Sequence, residues 1–299
     1  MSDNKNTSTY QEKIAEFYID GMNVLPDKNY KALSQVTVQP ATNFLEMLQG
    51  THSQLTDDDI PSSVDEVTLG PVCSSFTSIN ISKPKKVILK TELPAVETLN
   101  VHNAIIEVQS QEPFFRNNVL TEIRGNGLIL GSLTFSTSTG YGYFSKITTI
   151  PPVINEVLPD SAFNTARELT TVSIENATNI PDYCFSGCQK LQNINFKKGI
   201  TGTRIGNYAF YWCQSLTIDN FVIPSGITEI GERAFYRCHQ IKNFTFPESL
   251  INIGKEAFSA CTALQTITVR GNSSCATAQT LQAMTPSQYN NATIVYTEN

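Results

Sequence analysis

Charge is scarce in this chain. Asp, Glu, Lys and Arg make up 16% of its 299 residues, with 27 acidic against 21 basic and a net charge of −6. No basic run stands out, so neither nucleic acid nor an anionic membrane is expected as a partner. Long apolar runs are missing as well, and no window approaches the roughly 18 residues that would read as a membrane-crossing helix. Met1-Ser-Asp-Asn-Lys-Asn-Thr7 lacks the basic patch and apolar core of a secretory signal. Histidine occurs three times, as His52, His102 and His239, and none sits in a nucleophile or metal motif. Gly-x-Ser-x-Gly, a phosphate-binding glycine loop and His-Glu-x-x-His are all absent, so no enzyme, cofactor or metal is expected. Carboxylate pairs for glycoside hydrolysis need not be adjacent in sequence, which leaves a glycan-active enzyme as the third reading, behind two of recognition. What is plentiful is Ser, Thr and Asn, a balance that fits β-rich extracellular or virion surfaces.

One frame recurs five times: Leu158-Pro-Asp-Ser-Ala-Phe163, Ile180-Pro-Asp-Tyr-Cys-Phe185, Ile205-Gly-Asn-Tyr-Ala-Phe210, Ile230-Gly-Glu-Arg-Ala-Phe235 and Ile253-Gly-Lys-Glu-Ala-Phe258. Its phenylalanines are 22, 25, 25 and 23 residues apart. Three residues after each stands Ala166, Cys188, Cys213, Cys238 or Cys261, and six after it Leu169, Leu191, Leu216, Ile241 or Leu264. A short alternating run follows, such as Ile194-Asn-Phe196 or Ile267-Thr-Val269. A period of about 20–29 residues with a Leu-x-x-Ile-x-Val core is the signature of a leucine-rich solenoid. No copy can bury its own apolar face, so each must stack on the next and the phenylalanines should form an internal column. Copy three carries two extra residues before its strand, in Leu216-Thr-Ile-Asp-Asn-Phe221, which predicts a bulge. Gly206, Gly231 and Gly254 recur because the repeat turns there, a backbone requirement. Four of the seven cysteines share one register and read as a ladder of small buried thiols.

The register Ile-Gly-x-x-Ala-Phe-x-x-Cys-x-x-Leu-x-x-Ile-x-Phe-Pro, clearest over residues 230–252, resembles the BspA-like subclass of leucine-rich repeats. That resemblance implies a surface-exposed protein for adhesion or interaction, with no particular ligand. A second one lies upstream. Tyr30-Lys-Ala-Leu-Ser-Gln-Val-Thr-Val-Gln39 resembles a small element near the ends of bacteriophage tail and fibre proteins, which implies a virion setting.

The expected fold is therefore mainly β with short helices, a leucine-rich repeat solenoid with a small N-terminal α/β cap. Residues 1–50 read as an attachment or capping region, with an amphipathic helix over 8–24, a strand-like end at 30–39 and a helical turn at 43–48. Residues 51–63 read as a linker, with Asp57-Asp58-Asp59 as a solvated loop because the spacing of a calcium loop is missing. Residues 64–157 read as degenerate repeats, with Ile79, Leu99, Ile123, Ile147 and Val172 in one register; a separate β-sandwich over 64–150 competes with that. Residues 158–269 are the regular repeats, and 270–299 a C-terminal cap with a helix over 276–284 and a last strand over 293–296.

Two outward surfaces are candidates for binding. Strand alternation turns Thr171, Ser173, Asn193, Asn195, Asn220, Val222, Asn243, Thr245, Thr266 and Thr268 outward, a polar and nearly uncharged ladder that could read glycan hydroxyls or a protein edge. The returning arms gather Tyr208, Tyr211, Trp212, Arg233, Tyr236, Arg237 and His239, residue types enriched at interfaces and aromatic sugar platforms. The partners implied are a protein or a surface glycan, virion proteins through residues 1–50, or a second copy packed against the aromatic edge. The function read from the sequence is a recognition or structural component of a bacteriophage virion, a fibre or decoration protein, with a cell-surface adhesin as the alternative.

Overall fold

The computed structural model describes residues 45–46, 54–60, 64–69, 76–90, 93, 95–109, 119–131, 146–197, 199–217 and 220–297. The helix read over 8–24 and the stretch 30–39 lie outside them. In the first half the chain alternates between two series of short strands: β1 (Leu45–Glu46), β2 (Gln54–Thr56), β3 (Glu66–Leu69), β4 (Ser78–Asn80), β5 (Lys86–Leu89), β6 (Thr98–Asn100), β7 (Ile105–Val108), β8 (Glu122–Arg124) and β9 (Gly127–Ile129). Odd-numbered strands pair in the order β1-β3-β5-β7-β9 and even-numbered ones as β2-β4-β6-β8. All of these pairs are parallel. A parallel neighbour can be reached only by a crossover, so each coil winds once around a shared interior. This is a solenoid rather than an antiparallel sandwich.

Three readings are corrected by this arrangement. Leu45–Glu46, expected in a helical turn, is a strand in register with Val67 and Thr68, because pairing with the next coil outweighs the local helical pattern. Residues 54–56 of the expected linker form β2, with Leu55 fully buried opposite Ile79. Asp57 is not free in a loop either, since it accepts hydrogen bonds at the surface from the backbone N–H groups of Ser82 and Lys83 and from the Ser82 hydroxyl. The register Ile79, Leu99 and Ile123 holds. Ile147 leaves it: Glu122 pairs with Thr149, which aligns Ile150 with Ile123 and drops Ile147 into the core three residues earlier.

The two strands of a coil draw together along the molecule. Core positions Leu55 and Val67 are 12 residues apart, Ile79 and Val87 eight, Leu99 and Ile106 seven, Ile123 and Leu128 five. In β10 (Thr171–Ile174) the corner between them has vanished. Val172 there follows the second series, since Thr170 N–H donates to Thr148, while Ile174 bridges to Val153 of the first.

From here each coil has one main strand and a returning arm. β10 pairs with β11 (Asn193–Phe196). After β12 (Arg204–Ile205) come β13 (Asn220–Val222), β14 (Glu229–Ile230), β15 (Asn243–Phe246), β16 (Asn252–Ile253) and β17 (Thr266–Arg270); the helix α1 (Ala276–Gln282) and β18 (Thr293–Thr297) close the described chain. Strands β13-β15-β17-β18 form one parallel sheet and β12-β14-β16 a narrow second ladder. Thr217 N–H still donates to Gln192, and among the described residues β11 and β13 are not paired; the bulge expected in copy three lies outside them.

One continuous core runs through the described coils, from Leu55 to Ala292. Phe163, Phe185, Phe210, Phe235 and Phe258 are fully buried and stack with centroids 4.9, 5.3, 5.0 and 5.6 Å apart, close to the coil spacing. Cys188, Cys213, Cys238 and Cys261 form the expected ladder of buried thiols, each donating to the carbonyl of a phenylalanine one coil back at 3.0–3.2 Å. Burial pushes their thiol pKa values upward. Gly206, Gly231 and Gly254 are explained by space rather than by a turn. A Cβ on Gly254 would lie 2.4 Å from the Glu232 backbone nitrogen, and the other two meet the preceding coil at 2.5 Å.

Candidate recognition surface

The surface is built on a backbone device. Two residues before each repeat phenylalanine stand Ser161, Tyr183, Tyr208, Arg233 and Glu256, with φ between 49° and 57°. Two residues after it stand Thr165, Gly187, Trp212, Arg237 and Ala260, with φ between 59° and 73°. Left-handed backbone at every fourth residue makes alternate N–H groups point along the solenoid axis. Tyr208, Phe210 and Trp212 donate to Glu232, Ala234 and Tyr236 of the next coil at 2.7–2.8 Å, and the other copies repeat the pattern. The returning arm is thus a hydrogen-bonded arc on the far side of each coil from the sheet.

Because coils repeat at a fixed spacing, side chains at equivalent arc positions stack. Tyr183 and Tyr208 are 4.9 Å apart and 4° from parallel; Tyr211 and Tyr236 are 5.3 Å apart and 8° from parallel. Arg233 lies 5.8 Å from the Tyr208 ring and 5.9 Å from the Tyr236 ring. Its Nε donates to Glu256 at 2.6 Å and Nη1 to the Tyr208 hydroxyl at 3.0 Å, contacts that raise its pKa further. The Tyr208 hydroxyl in turn donates to Glu232 at 3.2 Å. Arg237 covers the Trp212 ring at 5.5 Å and also lies 5.6 Å from that of Tyr236. His239 sits beside the cluster and contacts the Thr262 hydroxyl at 3.3 Å.

The seven residues gathered on the sequence lie on neighbouring coils of this one arc. Tyr183 extends the cluster by a coil and escaped the sequence reading, although it sits at the same position in its frame as Tyr208. The stacking also limits what the cluster can do. Tyr208 is flanked by Tyr183 and Arg233, and Tyr236 by Tyr211 and the two arginines, so their faces are already occupied. Of these two rings only the edges remain to meet a partner.

The strand ladder is a separate surface. Asn193 and Asn195 are exposed, and Asn243, Thr266 and Thr268 half-buried. Asn220 lies in β13 opposite Asn243. Thr245 departs from expectation: it is 7% exposed, a small side chain held between Val222 and Thr268 on the adjoining strands. It offers a partner little. Among the described residues no group of three His, Cys, Asp or Glu comes together as a metal site.

Comparison with known proteins bears on the repeats. The model of the BspA type leucine rich repeat region matches residues 156–281 in six copies. A leucine-rich repeat protein from Bacteroides ovatus is 16% identical, over 85% of this chain and 83% of its own, with a TM-score of 0.42. The T. pallidum leucine rich repeat protein is 26% identical over 48% of this chain and 58% of its own, at 0.35. A leucine rich cell surface protein from Faecalibacterium prausnitzii is 16% identical over 88% and 93%, also at 0.35. No curated protein matches. The match to the BspA type leucine rich repeat region thus falls on residues 156–281, the part of the chain that carries the stacked phenylalanines, the buried thiols and the parallel strands.

Proposed function

We propose that this chain is a non-enzymatic recognition module whose solenoid presents the aromatic and arginine arc, with the strand ladder as a second face, to a protein or surface-glycan partner. One observation supports it most. Tyr208, Tyr211, Trp212, Arg233 and Tyr236 are half-buried and Arg237 exposed, whereas neighbouring frames carry Asn164 and Thr165, Ser186 and Gly187, or Ser259 and Ala260 in the slots after the phenylalanine. Frames with small residues stack as well as those with large ones, so packing alone does not call for the aromatics. Tyr, Trp and Arg are the residues that dominate binding energy at interfaces. A variant with Tyr211, Trp212 and Tyr236 changed to Ala should stay folded and lose binding on a glycan array or in capture of a surface protein. Unchanged binding by that variant would remove the arc from the reading and leave the strand ladder.

In the finer form of this proposal the chain is a bacteriophage fibre or decoration protein, held to the particle by residues 1–50. The stretch resembling tail and fibre proteins at 30–39 supports it. Deleting residues 1–50 should abolish incorporation into particles, and normal incorporation would refute the attachment role. The BspA-type repeats favour a second form, a cell-surface adhesin. Detection of the protein on intact cells free of phage particles would select it.

A further inference from the structure

The arc ends in a step. Tyr211 and Trp212 face Ser186 and Gly187 on the preceding coil and, one coil beyond, Asn164 and Thr165. Arg237, on the following coil, covers one face of the Trp212 indole. The equivalent position on the other side is Gly187, which has no side chain. A Cβ built there would meet Thr165 at an ordinary 3.6 Å, so the position tolerates a side chain in space although none is present over the indole. Tyr208 and Tyr236, by contrast, have both faces covered. Trp212 alone pairs one cation-covered face with a glycine floor.

We infer that this step is a subsite for one pyranose ring of a neutral glycan, stacked on the open face of Trp212 above Gly187. The inference rests on the reading of the arc as a recognition face and names its ligand class. An aromatic face takes the C–H face of a sugar as it takes other apolar groups. The floor carries no charge, and the half-buried Asn164 and Thr165 bring polar side chains of the kind that hydroxyl groups require. A cation in the same place would sit across the ring from Arg237 and be repelled by it, which disfavours a lysine or arginine of a partner protein.

Trp212 is the only tryptophan in the sequence, so its emission reports this site alone. The full chain would be titrated with maltohexaose, cellohexaose, laminarihexaose and chitohexaose while Trp212 emission and its quenching by acrylamide are followed. At least one should shift the emission and protect the ring from quencher. Gly187→Leu, which fills the step, should weaken that binding about tenfold or more, the loss of one stacked ring. Gly187→Ala leaves most of the space and controls for backbone strain, and it should stay within about threefold of the parent. Glycan binding on the array without any change in Trp212 emission, or binding by Gly187→Leu equal to the parent, would overturn the subsite while leaving the arc as a recognition face. No response to any glycan also overturns it; the broader reading falls with it only if the Tyr211, Trp212 and Tyr236 variant still captures every partner of the parent.

Discussion

Nine of the ten arc positions with left-handed backbone are not glycine, and an L-residue there costs on the order of 1 kcal/mol. Eight of the ten positions donate their backbone N–H to the following coil, and Glu256 and Ala260 lie in the last arc. Ala260, at φ 59°, has the least side chain to lose, so Ala260→Gly should raise stability by up to about 1 kcal/mol in urea unfolding. Ala257→Gly, at a buried position of ordinary backbone in the same turn, should lower it. The frame of Ile, Phe, Cys and Leu was legible because its spacing is invariant; the left-handed positions were not, because Tyr, Trp, Arg and Glu occupy them and none of these announces a positive φ. Gly254 misled in the opposite sense, marking a close approach of two coils where a turn was read. The thiols make a second test at this scale. Burial holds Cys184, Cys188, Cys213 and Cys238 well above an ordinary thiol pKa near 9 and Cys261 up to about 12. The folded value thus exceeds the unfolded one. Stability from this source is intact below about pH 9 and falls above it, as the unfolded thiols ionise, by roughly 1.4 kcal/mol per pH unit per cysteine. Replacing Cys213 and Cys238 by Ala, the residue at Ala166 in the first frame, should flatten the decline in urea midpoint between about pH 8 and about pH 10.5. An unchanged slope would mean that other groups set the alkaline limit.

Among the elements, α1 is tied to the preceding coil by the Thr280 hydroxyl, the Thr277 N–H and, deepest, the Thr277 hydroxyl. Thr277 is fully buried, accepts from the Leu250 N–H at 2.9 Å and donates to the Pro247 carbonyl. Thr277→Val keeps the shape and strands both backbone groups, so it should cost about 1–3 kcal/mol and raise hydrogen exchange at Leu250. Exchange at Leu250 equal to the parent would show that the helix is held by its apolar contacts. The cap itself was readable, since Ala276–Gln282 and Thr293–Thr297 end within about two residues of the elements expected there. The first half was harder to read for a physical reason: its coils carry two strands whose separation changes from coil to coil, so no single spacing repeats. Ion pairs between coils escaped as well. Lys86 sits between Glu66 and Glu107, and Arg204 between Asp182 and Glu229, with partners 20 to 25 residues away that look unrelated until the coil length is known.

At the scale of the whole molecule, parallel register makes the coils interchangeable in phase. Glu229 pairs with Asn252 and Ile230 with Ile253, so deleting residues 230–252 joins Glu229 to Ile253 with every later residue at an equivalent position. The shortened chain should still fold, with the same sheet signal in circular dichroism and a long axis shorter by about 4.7–4.9 Å in small-angle scattering. Loss of cooperative unfolding would show that the coils are not equivalent. The same register has a mechanical side. In each regular coil the hydrogen bonds of the strand sheet, the narrow ladder and the arc all point along one axis, so a pull along that axis loads them together and no bond is spared by its neighbours. Failure must then come one coil at a time, each release freeing 22 to 25 residues, roughly 75–90 Å of extended chain. Stretched between its ends, the repeat region should give way in a regular sawtooth, which is how a tether under shear yields length without letting go.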